Sequence, residues 1–216
     1  LIFLAIKKEM EPSLLLPMGF GAILVNLPNS GAVEVLETLY NAGISNELFP
    51  LLLFIGIGAM IDFGPLLSNP KMLLFGAAAQ FGIFFTLSAA SLMGFDLHDA
   101  ASIAIIGAAD GPTSIVVANH FKTKYLGAIV VAAYSYMALV PIVQPFCIRL
   151  ITTKKERMIR MEYTPGKITK TTRILFPIVV TVIAGIVSPQ SVALVGFLMF
   201  GNLLRECGVL NALSET

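Results

Sequence analysis

Asp110, Gly111 and Pro112 stand together in an apolar stretch, HDAASIAIIGAADGPTSIVVANH (98–120), and two hydroxyl residues, Thr113 and Ser114, follow at once. An Asp at the centre of a helix in hydrocarbon costs about 2.5 kcal/mol or more. Gly111 permits backbone angles that a helix does not, and Pro112 has no N–H to continue one. The pattern predicts a helix that stops in mid-span and restarts with Pro112 in the first turn of its second half. The Asp110 carboxylate, the carbonyls freed near Gly107–Ala109 and the hydroxyls of Thr113 and Ser114 would then gather at one point. Oxygen donors of this kind suit a hard cation. One carboxylate per monovalent ion leaves the loaded site neutral. The competing reading is a kinked helix with a protonated or paired structural Asp. Half-helix ends at bilayer depth bind ions in transporters, so Asp110, Thr113 and Ser114 are the candidate cation ligands.

Other polar residues in apolar runs are fewer. Tyr134 and Tyr136 lie two apart, hence on different helix faces. A phenol with an ordinary pKa of about 10 can pack, or it can pass a proton. Asp62 precedes Gly64-Pro65 and reads as a turn or N-cap residue. Gln80 and Gln144 suit helix–helix hydrogen bonds, and His98 and His120 flank the broken element. Cys147 and Cys207 lack metal spacing and read as reduced packing residues. No phosphate-binding loop, zinc motif or Ser/His/Asp set is present, and nothing points to nucleic acid.

The elements that must hold these residues are helical and membrane-embedded. Of the 216 residues, 56% are hydrophobic and 12% charged, far from the balance of a soluble domain. Several continuous runs approach the ~20 residues of a bilayer span, whereas a β-barrel would alternate. The runs are 14–27, with Pro17 near its start; 48–67, interrupted by Gly56, Gly58, Gly64 and Pro65; 72–95; the broken element 98–120; 125–150, with Pro141 and Pro145; 174–187; and 192–204. Residues 1–148 and 174–216 are thus read as membrane helices flanking a basic loop, 149–173. That loop carries eight of the 14 Lys and Arg residues and is expected on the cytoplasmic side. If both 98–120 and 125–150 crossed, the loop would fall outside. The charge pattern therefore favours 98–120 as a re-entrant hairpin with Asp110 at its tip, the alternative being a crossing broken helix with 125–150 folded back. GFGAILVNLP (19–28) faintly echoes GIGAMIDFGP (56–65), as an internal repeat would. The chain does not start with Met, Leu1–Ile6 reads as the tail of a helix, and Leu210–Thr216 stops where another span could follow, so a longer protein is expected.

Four motifs carry a resemblance: NELFPLLLFIGIGAMIDFGPLLSNPKMLLFGAAAQFGIF (46–84), IIGAADGPTSI (105–115), LGAIVVAAYSYMALVPIVQPF (126–146) and GNLLRECGVLNALSET (201–216). Together they resemble the β subunit of sodium-pumping, biotin-dependent decarboxylases, the oxaloacetate, methylmalonyl-CoA and glutaconyl-CoA decarboxylase type. The resemblance implies an all-α polytopic fold, elevator-like and built from inverted repeats, of which this chain holds a part. It implies a multi-pass subunit of the bacterial inner (plasma) membrane that decarboxylates carboxybiotin and couples this to Na⁺ export. The implied partners are a biotin carrier subunit, a carboxyltransferase subunit, a small membrane subunit and further copies of this chain. The family's essential Asp falls on Asp110 and its essential Tyr on Tyr136, as catalytic residues. A second ion-site segment of that family lies in a C-terminal half with no counterpart here. The short acidic loop 29–47 resembles the acyl-CoA members. A Na⁺-coupled secondary transporter of a small anion, which shares the broken helix but needs no biotin, and a non-catalytic membrane scaffold are the competing functions.

Overall fold

Glycine and proline decide where the apolar runs of this chain stop. A computed structural model describes residues 1–9, 12–160 and 168–209. Among these there is no strand. The helices are α1 (Ile2–Lys7), α2 (Pro12–Asn26), α3 (Ala32–Leu39), α4 (Leu48–Met60), α5 (Gly64–Ser68), α6 (Leu73–Leu92), α7 (Leu97–Ala104), α8 (Gly111–His120), α9 (Leu126–Ile151), α10 (Lys154–Arg157), α11 (Lys170–Val187) and α12 (Val192–Cys207). A π turn, Tyr40–Ile44, follows α3, and a 3₁₀ turn, Ile105–Ala108, follows α7. Pro70–Leu92 and Lys170–Val187 are long and apolar enough to cross a bilayer, and up to four spans result if each bent pair counts as one. The protein is an all-α chain of polytopic membrane type.

Contacts divide the chain into two interleaved units. One comprises Leu1–Asn46 and Ile83–Glu162, the other Glu47–Gly82 and Tyr163–Thr216. This partition differs from the reading in chain order, 1–148, 149–173 and 174–216. The basic loop is also narrower than read. α9 runs to Ile151 and α11 begins at Lys170, so Arg149, Lys170 and Arg173 are helical. Within the loop, Thr153 and Glu156 form a reciprocal capping box that starts α10. The Thr153 N–H holds the Glu156 carboxyl below the usual carboxylate range. Lys167 and residues 210–216 lie outside the described residues.

In the second unit, α4 and α12 cross at almost backbone contact. A Cβ on Gly58 would lie 1.9 Å from the Leu198 carbonyl oxygen, and one on Gly201 would lie 1.9 Å from that of Ile55. Small residues let apolar helices approach this closely. α4 then ends at Met60, and its last carbonyls need donors from elsewhere. The buried Asn202 amide donates to the carbonyls of Ile61 (3.0 Å) and Gly58 (3.4 Å), and Arg205 donates to that of Met60 (2.9 Å). Asp62 takes the turn role read for it, accepting the Gly64 N–H at 2.8 Å. It also pairs with Arg173 of α11 at 3.5 Å, and Arg173 reaches Glu206 of α12 at 3.6 Å.

The sequence echo is not repeated in packing. Gly58 touches backbone while its counterpart Gly21 faces open space, and the close approach in the first copy is at Gly19 against Ile2.

The crossing yields a differential prediction. Gly58→Ala and Gly201→Ala should each cost about 3 kcal/mol by forcing α4 and α12 apart. Gly56→Ala, which meets no atom within 4 Å, should leave stability unchanged. Thermal unfolding of the purified full-length protein in detergent measures the difference.

Candidate functional site: the broken hairpin at Asp110

The hairpin is built by short apolar arms and small residues. Asp96 caps α7, accepting the His98 N–H at 3.1 Å, and that bond holds its carboxyl below the usual range. Twelve residues, Leu97–Ala108, run to the tip as α7 and the 3₁₀ turn. At 1.5–2.0 Å per residue this arm spans roughly 20 Å, short of the ~30 Å hydrocarbon core. α8, ten residues long, returns. The outer ends of the two arms meet. Thr123 donates a hydrogen bond to Asp99, His98 lies against Phe121 (ring centroids 5.2 Å apart) and Phe95 against Tyr125 (5.7 Å). The segment therefore folds back on itself as a hairpin. Ala100, Ser102, Ala104, Ser114 and Ala118 are almost wholly buried, and their small side chains let the arms pack. The Asn119 amide ties the end of α8 to the Ile44 carbonyl at 3.0 Å.

At the tip the chain breaks as predicted. The last helical bond runs from the Ala109 N–H to the Ile106 carbonyl at 3.0 Å. Ala109 adopts the left-handed region (φ 54°, ψ 36°), which costs an L-residue about 1–2 kcal/mol. The carbonyls of Gly107–Ala109 therefore lie beyond the helical ladder, on exposed residues. Asp110 follows in extended geometry as the residue before α8, with Pro112 in the first turn.

Each predicted site residue can now be placed. The Thr113 hydroxyl donates to one oxygen of the Asp110 carboxylate. The Ser114 hydroxyl is fully buried and donates instead to the main-chain carbonyl of Asp110, at 2.9 Å. Asp110, Thr113 and Ser114 are thus gathered at one point. Tyr136 is not among them. It is 42% exposed on α9, whereas Tyr134, about 200° around the helix, lies over Gly111. A Cβ on Gly111 would fall 2.6 to 3.1 Å from three atoms of the Tyr134 ring. Met137, one turn beyond Tyr134, accepts the Gly111 N–H at its Sδ, 3.2 Å away. Sequence reasoning missed Met137 entirely. The i, i+3 spacing of Tyr134 and Met137 was the signal that could have found it. α9 bends by 62° between Met137 and Ile142.

With this geometry in hand, comparison with known proteins decides the family. The sequence profile described as "Na+-transporting oxaloacetate decarboxylase beta subunit" matches residues 1–216. The chain belongs to that family. Methylmalonyl-CoA decarboxylase subunit beta of Veillonella parvula is 52% identical over 216 residues, covering 100% of this chain and 58% of the relative. Glutaconyl-CoA decarboxylase subunit beta of Acidaminococcus fermentans is 49% identical over 218 residues, again with 100% and 58% covered. A probable oxaloacetate decarboxylase beta chain of Vibrio cholerae is 40% identical over 281 residues, with 100% and 65% covered. The chain therefore spans 58% of the length of the first two relatives. Its apolar helices fit the Na⁺-transporting description of that family.

The tight seat of Gly111 gives the test of this site. Gly111→Ala must push the Tyr134 ring aside and shift the tip. The full-length complex should then lose about tenfold or more of its Na⁺-dependent decarboxylation. Gly107→Ala, whose Cβ meets Ile83 at an ordinary 3.5 Å, should stay within twofold. Initial rates at saturating Na⁺ compare them.

Proposed function

We propose that this chain is the ion-translocating part of a membrane subunit that decarboxylates carboxybiotin and couples this to Na⁺ export. One observation carries the reading. A carboxylate sits at a gap in the helical backbone, and among the described residues it accepts a hydrogen bond from Thr113 alone. An ionised carboxylate has about four acceptor positions, so most of its capacity is left for a ligand. Na⁺, as cargo, would take the carboxylate of Asp110, the oxygen of Thr113 and exposed carbonyls at the tip. Ser114 contributes mainly by bracing the Asp110 carbonyl.

Moving one charge against 100 mV takes about 2.3 kcal/mol. A neutral Asp110–Na⁺ pair lowers the cost of crossing a low dielectric, and decarboxylation drives the change between two states that bind the ion differently. Carboxybiotin, held on a partner subunit, would supply the labile carboxylate whose loss requires a proton. Tyr136 is exposed on α9, which is compatible with meeting a group carried by a partner subunit, and we assign it the proton-donor role. An elevator-like movement, assembly with a biotin carrier, a carboxyltransferase and a small membrane subunit, self-association and residence in the bacterial plasma membrane belong to the same reading. So does the cytoplasmic placement of the basic loop. The alignments favour an acyl-CoA member, since those with the first two relatives run 216 and 218 positions against 281 for the oxaloacetate chain.

In the full-length complex, Asp110→Asn should abolish Na⁺ activation and lower decarboxylation about a hundredfold, as removal of the ion's charged ligand requires. Retained Na⁺ activation would reject the site. Tyr136→Phe should depress the rate at neutral pH and alter its pH profile, and an unchanged profile would remove Tyr136 from the chemistry.

A further inference from the structure

We infer that the end of α9 and the turn that follows it, residues 149–160, form a docking surface for anionic phospholipid headgroups. The inference does not depend on the ion site at Asp110.

The segment concentrates charge of one sign. Arg149, Lys154, Lys155, Arg157 and Arg160 stand together, with Glu156 as the only acid among them. Two of these charges are already committed. The Glu156 carboxylate accepts the Thr153 N–H at 2.7 Å and the Thr153 hydroxyl at 2.8 Å. The Arg157 guanidinium folds back on the end of α9 and donates to the carbonyls of Thr152 and Arg149. Basic side chains suit that position, because carbonyls at a helix end have no partners within the helix. Arg149, Lys154, Lys155 and Arg160 remain. All four are exposed. The ion pairs found among the described residues lie elsewhere, between His98 and Asp96 and around Arg173. Like charges gathered this closely repel one another, and an anionic ligand relieves the repulsion.

The apolar side chains of the same segment indicate which anion. Leu150, Ile151, Met158 and Ile159 are between 65% and 81% exposed. They are interleaved with the cations, and the exposed apolar surface of α9 at Ile142, Val143 and Phe146 leads directly into them. Where such a surface gives way to Lys and Arg, a membrane helix has reached the headgroup region. Apolar side chains there enter the acyl boundary, while long basic side chains reach the phosphates. The local fold keeps the charges at that level. Thr152 leaves the helix in extended geometry, and the reciprocal capping of Thr153 and Glu156 restarts the chain at once as α10. An acidic soluble protein would satisfy the four cations and leave the exposed apolar side chains unexplained. Basic clusters directly beside a membrane helix attract anionic lipid over about a Debye length.

The test places the full-length subunit in phosphatidylcholine vesicles with a trace of nitroxide-labelled phosphatidylglycerol or nitroxide-labelled phosphatidylcholine. It reads the fraction of each label immobilised at the protein. The wild type should prefer the anionic label about threefold. In 1 M KCl, where the Debye length is about 3 Å, the preference should fall below about 1.5-fold. Arg149→Gln/Lys154→Gln/Lys155→Gln/Arg160→Gln should fall as far at low salt. Lys7→Gln/Lys8→Gln/Lys71→Gln/Lys122→Gln removes as many charges elsewhere and should keep most of the preference. No preference in the wild type overturns the inference. An equal loss in the two quadruple variants also overturns it, since that marks net charge alone. If the first variant does not insert in its normal orientation, Lys154→Gln/Lys155→Gln keeps the three arginines and is read instead, with about half of the preference lost. An unchanged lipid preference in these variants, with loss of the soluble decarboxylase subunits, assigns the surface to a protein partner and overturns the inference as well.

Discussion

An ionised carboxylate in apolar surroundings must be paid for by partners, and which partners it finds decides what it can do. At Asp110 the ordinary claimants are absent. The helix before it ends in a strained left-handed residue, the helix after it opens with Gly-Pro, and the Gly111 N–H is taken by a thioether. Among the described residues the Asp110 carboxylate accepts a single side-chain hydrogen bond, from Thr113. In the proposed reading a desolvated monovalent cation is a favourable guest there, because the carboxylate gains most from an ion that it alone neutralises.

Asp62 shows the opposite outcome in the same chain. It too lies at the end of a transmembrane-type helix beside Gly and Pro. Its carboxylate accepts the Gly64 N–H, and the Arg173 guanidinium stands 3.5 Å away. The freed carbonyls of α4 are occupied as well, by Asn202 and Arg205. A helix gap with an Asp is thus not in itself an ion site. A fixed basic neighbour and amide donors close one gap, and among the described residues neither is found at the other. Glu206, only 12% exposed, shares Arg173 with Asp62.

Much of this was legible in the sequence because helix breaks are local. Gly111-Pro112 and Gly64-Pro65 announce where ladders stop, and an Asp beside them announces a cost. The distribution of Lys and Arg favoured a hairpin at 98–120, and the hydrogen bond between Thr123 and Asp99 joins the two ends of such a hairpin. What stayed hidden was non-local. The pairing of Arg173 with Asp62 joins segments far apart in the chain, and the loop reading of 149–173 concealed it. Which tyrosine faces Gly111 depends on the rotational phase of α9, which composition does not reveal when every face of a span is apolar. The same limitation hid Met137, a residue type that ordinarily fills space.

The central claim is that the Asp110 carboxylate itself receives Na⁺. The most direct measurement is the Na⁺-induced infrared difference spectrum of the full-length β subunit in lipid bilayers. The account predicts a shift of a carboxylate stretching band on Na⁺ addition that disappears in Asp110→Asn. An identical difference band in that variant would contradict it.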